Sequence, residues 1–94
     1  MTIKYFVPKP ITRAAVQYLD PENHENLNNL VEFTNGRFRI VGYPRDVKAQ
    51  VYDYLHDTWV TVKKGDWVIR GTLGEFYPHD GELLKHNYDE QVPE

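Results

Sequence analysis

Ninety-four residues, 40% of them hydrophobic and 14% aromatic, are enough for one packed domain and argue against disorder. Eleven basic and fourteen acidic residues are mixed along the chain for a net charge of −3, so the counterion-release term that drives nonspecific nucleic-acid binding is weak. Cysteine and serine are both absent, which excludes disulfides, thiolate metal sites and Cys or Ser nucleophiles, and no apolar run reaches the roughly 20 residues of a membrane span.

Residues 1–94 read as a single domain. The first ten, with Pro8 and Pro10, form an extended arm that is too short and too polar for a secretory signal. Ile11 to Leu19 is rich in β-branched and aromatic residues and suits a first strand. Asp20-Pro21-Glu22 then signals a helix start, with a capping carboxylate and Pro at the first helical position. The predicted helix runs from about Pro21 to Thr34. Leu27, Leu30, Val31 and Thr34 would face the sheet, and Asn35-Gly36 would supply a left-handed stop.

Arg37 to Val41 alternates as a strand, with Phe38 and Ile40 on one side, until Gly42-Tyr43-Pro44 breaks it. Ala49 to Leu55 is a further strand; a two-residue His56-Asp57 loop and a three-residue loop including Thr58 both fit the turn after it.

The C-terminal half reads as a meander. Thr58–Val62 and Trp67–Arg70 flank Lys63-Lys64-Gly65-Asp66, a four-residue turn with Gly placed for positive φ. That spacing opposes Val62 to Trp67 and Val60 to Ile69. A second turn, Gly71-Thr72-Leu73-Gly74, sets Arg70 opposite Glu75 and Ile69 opposite Phe76. Val60, Val62, Trp67, Ile69 and Phe76 then form a core face. Trp59, Thr61, Val68, Arg70, Glu75 and Tyr77 form the opposite face, and a one-residue slip would exchange the two. Asp80 can cap a short helix through Lys85, and a polar tail follows over 89–94. The expected fold is α+β: a curled antiparallel sheet of about five or six strands, open to closing halfway as a barrel. One main helix and a short C-terminal helix complete it.

Gly65-Asp66-Trp67-Val68-Ile69-Arg70-Gly71, followed by Gly74-Glu75-Phe76-Tyr77-Pro78, resembles a G-D-W-(I/V)-(I/V)-x-G-x-x-G-E-(F/L)-Y-P segment. That segment belongs to a family of small tailed-phage and prophage proteins of unknown function. Pro10 to Tyr18 is similar to the family's opening strand, and Glu32 to Gly36 to the end of its helix, so the resemblance spans Pro10 to Tyr88. Lys64 stands where the family often has Pro, and His79 where Cys or an apolar residue is common. The resemblance implies a phage or prophage accessory protein in the bacterial cytoplasm; it carries no activity to transfer.

Trp59, Arg70, Glu75 and Tyr77 are the candidate binding residues. In the expected register Arg70 pairs with Glu75 across the ladder and lies over Trp59, giving an aromatic–cationic platform for a protein loop or a nucleotide. The plainer reading is that they stiffen an outer sheet face. Asp66 should bond the amides of its own turn. His24, His56, His79 and His86 lack the helical spacing of metal ligands. Asp53, Asp57, Glu75, Asp80 and Glu82 offer carboxylates without a visible reason for paired acid–base work. No cofactor, no metal and no catalysis are expected. The expected partner is a host or phage protein. Exposed edge strands are compatible with a homodimer, and membrane and nucleic acid are not expected partners.

Overall fold

The computed structural model describes residues 2–5 and 13–87, with side chains described as far as Leu84. Element order is β1 (Ala15–Gln17), α1 (His24–Phe33), β2 (Phe38–Val41), β3 (Lys48–Asp53), β4 (Thr58–Val62), β5 (Trp67–Arg70), β6 (Phe76–His79) and α2 (Gly81–Asn87). The class is α+β, with one main helix and a short C-terminal one. The six strands form two three-stranded antiparallel sheets, ordered β1-β5-β6 and β2-β3-β4. The curled arrangement does not close. Of the expected first strand only its centre is strand, and Ile11 and Thr12 lie outside the described residues, as do the end of the arm and the tail from Tyr88.

The division into two sheets corrects the expected meander. β4 pairs with β3, through Val51↔Val60 and Ala49↔Val62, while β5 pairs with β1 through Val16↔Val68. The Lys63–Asp66 segment therefore carries the chain from one sheet to the other instead of closing a hairpin. Two backbone bonds fasten it to the end of β1: Gly65 N–H donates to Tyr18 O, and Tyr18 N–H to Asp66 O, both at 2.8 Å. Asp66 does bond its own turn, accepting the Lys63 N–H at 2.9 Å.

The β5–β6 register is the second correction. Arg70 faces Phe76 and Ile69 faces Tyr77, one residue away from the expected pairing. Glu75 belongs to the loop: its carbonyl accepts the Gly71 N–H at 2.7 Å and its carboxylate the Leu73 N–H at 2.9 Å. With one more residue in the loop, the period of two exchanges the faces of β5. Val68 now joins Phe76 in the core, and Trp67 and Ile69 point the other way. Ile69 is still only 1% exposed, so β5 is buried on both faces. In β4 the faces fall as expected, Val60 and Val62 inward, Trp59 and Thr61 outward.

α1 starts later than the sequence suggests. Asp20 makes an Asx turn, its carboxylate accepting the Glu22 N–H at 2.8 Å, and Asn23 is the cap, accepting the Asn26 N–H at 3.0 Å. This start leaves Val31 exposed and puts Asn26 in the buried stripe with Leu30 and Thr34. Asn26 is 7% exposed and bonded at both ends of its amide: its oxygen accepts the Leu19 N–H and its NH2 donates to Gln17 O, at 2.8 and 2.7 Å. It replaces ladder bonds where β1 ends. The Asn35-Gly36 stop is as expected, with φ of +55° and +84°.

The core lies between the sheets and under α1, built from Tyr18, Leu30, Phe38, Ala49, Val51, Val62, Val68 and Phe76. Between β2 and β3, Gly42 has φ +84°, and a Cβ there would sit 1.8 Å from Asp46 O, so only Gly fits this turn. β3 ends at Asp53, and Tyr54–Asp57 forms a four-residue turn, longer than either expected loop. α2 is capped as expected: Asp80 accepts the Glu82 and Leu83 N–H groups at 2.8 and 3.2 Å.

Candidate functional site

Alternation along three strands builds the outer face of the β2-β3-β4 sheet. In register, Arg39 lies beside Gln50 and Gln50 beside Thr61, while Tyr52 lies beside Trp59. Arg37 precedes β2 on the same side; its carbonyl accepts the Tyr52 N–H at 2.8 Å. Each inward partner of these residues is apolar, which is why the outer ones are free to be polar and aromatic.

The face is ordered by its own contacts. The Arg39 guanidinium carbon sits 3.8 Å from the centre of the Trp59 ring, and its Nε donates to Gln50 Oε1 at 2.8 Å. Tyr52 and Trp59 pack with tilted rings, centroids 5.4 Å apart. The Tyr52 hydroxyl donates a short hydrogen bond to Asp57 Oδ1. That bond, then partial burial and the nearby Asp57 charge, raise the phenol above its ordinary pKa, with Arg37 opposing. The phenol therefore stays a neutral donor at physiological pH.

One end of the face carries exposed apolar groups. Tyr54 and Leu55 in the β3–β4 turn and Leu73 in the β5–β6 loop are all exposed, and the Tyr54 hydroxyl donates a short bond to Leu73 O. At the same turn, Asp53 accepts from His56 Nδ1–H at 2.7 Å and from the Leu55 N–H at 3.0 Å. The His56 bond is the main cause holding the Asp53 carboxyl below its usual pKa.

The four residues singled out from sequence do not assemble as expected. Trp59 is on β4, and Arg70 on β5 of the other sheet. Arg39, not Arg70, covers the Trp59 ring. Arg70 reaches over the rim of the core, its guanidinium carbon 4.6 Å from the Phe33 ring centre and 5.8 Å from that of Phe76. It also donates to the Phe33 carbonyl at 3.3 Å. α1 has no basic residue in its last turn, so Arg70 supplies the cation that the helix C-terminus favours. Glu75 turns into its loop, and Tyr77 lies beside Ile69 on the far side of β5-β6. Arg37, Arg39 and Tyr52 were missed because their strand alternation was read only for its apolar members.

The other polar candidates serve the fold. Asp53 and Asp57 hold the β3–β4 turn, Asp80 caps α2, and His79 Nδ1–H donates to Asp80 O at 3.0 Å. His24 opens α1, and His86 lies in α2. Among the described residues no three His, Asp or Glu side chains gather to hold a metal ion, and no helix is long and apolar enough to cross a membrane.

Fold and surface together define a small α+β domain whose two sheets share one core, with the outer face of β2-β3-β4 presenting aromatic and cationic side chains. Compared with protein-family models, curated proteins and solved structures, the chain matches none.

Proposed function

We propose that this chain is a phage or prophage accessory protein, non-enzymatic, that binds a host or phage protein in the bacterial cytoplasm through the outer face of β2-β3-β4. The origin and compartment rest on the Gly65–Pro78 segment and its resemblance to small phage proteins. The binding role rests on one observation: Trp59, Tyr52, Arg37 and Arg39 share a sheet face that α1 does not cover. Trp, Tyr and Arg are the residues most enriched at interface hot spots. Arg39 is held over Trp59 before any partner arrives, so less side-chain entropy is lost on docking.

Charge selects the partner. Arg37 and Arg39 place two positive charges side by side on this face of a chain whose net charge is −3. The complementary surface is an acidic segment with an apolar residue able to reach Tyr54, Leu55 and Leu73. The nucleotide alternative, as a Trp59/Arg70/Tyr77 platform, loses its site because those residues occupy different sheets and faces.

The test is affinity capture from host and phage-infected lysates with wild-type protein and an Arg39→Glu variant in parallel. One acidic protein should be recovered by the wild type and reduced at least tenfold by the charge reversal, with the circular dichroism spectrum unchanged. Equal recovery by both would remove this face from the binding role.

A further inference from the structure

A second site lies where the two sheets meet. Tyr18, Pro21, Val47, Lys48, Ala49, Thr61, Val62, Lys63 and Lys64 line a cleft of about 270 Å³. Three of these nine are lysines, and neither a carboxylate nor an arginine is among them. Two separate features of the chain bring the lysines together. Lys48 opens β3, and Lys63-Lys64 begin the segment that crosses between sheets. The crossing is tied to β1 by Gly65 N–H on Tyr18 O and Tyr18 N–H on Asp66 O, and closed on itself by Lys63 N–H on the Asp66 carboxylate. The backbone that carries Lys63 and Lys64 is thus held in place.

The floor adds directional groups. Tyr18 is 3% exposed, and burial, followed by the Asp20 charge, raises its phenol above the ordinary value, so it remains a donor. The Thr61 hydroxyl, exposed at the rim, provides another. Asp66 accepts the Lys63 amide and Asp20 the Glu22 amide, while Lys48 pairs with the exposed Asp46 at 3.5 Å, a contact that a phosphate group would replace.

We propose that this cleft binds a compact ligand bearing two or more phosphate groups. Several compact ammonium charges suit the spread charge of a polyphosphate, whereas carboxylate recognition favours the planar fork of Arg, which the cleft lacks. Small-molecule sites usually occupy about 300–1,000 Å³, so the cleft suits a pyrophosphate unit better than an entire nucleotide. The site borders the Lys48 and Thr61 end of the open face but uses neither Trp59 nor Arg39, so it does not depend on the reading of that face.

The experiment is an amide NMR titration of the full chain with pyrophosphate, ATP, a twelve-residue oligothymidylate and citrate, each at matched ionic strength. Pyrophosphate should shift the amides of Lys48, Thr61, Lys63, Lys64 and Gly65. A Lys63→Ala/Lys64→Ala double variant should weaken its binding at least tenfold while keeping the dispersion of the spectrum. Tighter binding of ATP than of pyrophosphate supports the site, with the triphosphate in the cleft and the nucleoside outside it; tighter binding of the oligomer would overturn the compact-ligand proposal in favour of a nucleic-acid backbone. Citrate binding as tightly as pyrophosphate, undiminished binding by the double variant, or unshifted cleft amides with pyrophosphate at millimolar concentration would each overturn the proposal. An Arg39→Glu variant should bind pyrophosphate as the wild type does, which separates this result from the fate of the protein-binding face.

Discussion

The two sheets use arginine and aromatic rings in opposite ways. In β1-β5-β6, Arg70 lies over Phe33 and Phe76, ties down the end of α1 and closes the rim of the core. In β2-β3-β4, Arg39 lies over Trp59 on the side away from the core. The first contact ties β5 to the end of α1; the second links two strands of one sheet across β3. Cation–π geometry therefore does not distinguish a structural arginine from one available to a partner. What lies beneath the ring decides it: core in one case, a sheet's own outer surface in the other.

The sharpest way to break this contrast is to truncate an aromatic from each sheet. Phe76 is 2% exposed and packs edge-on to Phe33, so Phe76→Ala should cost about 3–5 kcal/mol in urea denaturation. Trp59→Ala should cost well under half as much, and comparable losses would contradict the placement of Phe76 in the core and Trp59 on the outer face. Asn26→Ala comes next. It leaves the Leu19 N–H and the Gln17 carbonyl without their buried partner, at about 1–3 kcal/mol, and amide exchange should quicken first at Leu19.

The two arginines sharpen the comparison at smaller scale. Arg70→Gln should destabilise by about 1 kcal/mol, through the lost ring contact and the helix-end carbonyl. Arg39→Gln should change stability by no more than about 0.5 kcal/mol, since only an exposed ring contact is lost. The same denaturation series checks both, and the reverse ranking would count against the assignment.

The smallest effect concerns pH. Asp53 is held below its ordinary pKa chiefly by His56, so the folded state favours its ionised form. That contribution is present above the ordinary carboxylate pKa and disappears as pH falls through the lowered value. Asp53→Asn should therefore lie below wild type by a constant amount near neutrality, with the gap narrowing on acidification. A gap that widens in acid would mean the sign of the shift is wrong.

Much of the fold could be read from residues alone, because local signals settled it. β4 and β5 have the expected bounds, the Asn35-Gly36 stop has the expected backbone, and Asp80 caps the second helix. Pairing was not local. Lys63-Lys64-Gly65-Asp66 has the length and glycine of a hairpin, yet its backbone bonds go to Tyr18, nearly fifty residues earlier. Nothing in those four residues encodes that choice; it depends on β1 competing for β5. The misplaced platform follows from this and from Glu75, whose carboxylate satisfies its own loop rather than Arg70. Arg39 and Trp59 were each visible as strand residues, but their meeting required the β2-β3-β4 register. The Asn26 anchor was hidden for a related reason: a polar residue on a helix stripe reads as solvent-facing until a strand end needs its amide.

The most direct test of the open face is photo-crosslinking in bacteria that carry the protein. A photoreactive phenylalanine replaces Thr61, exposed on β4, or Leu83, exposed on α2. One discrete protein adduct at position 61, with none at position 83, is the outcome this account predicts. Adducts at 83 with none at 61 would contradict it and move the binding surface to the α2 side of the molecule.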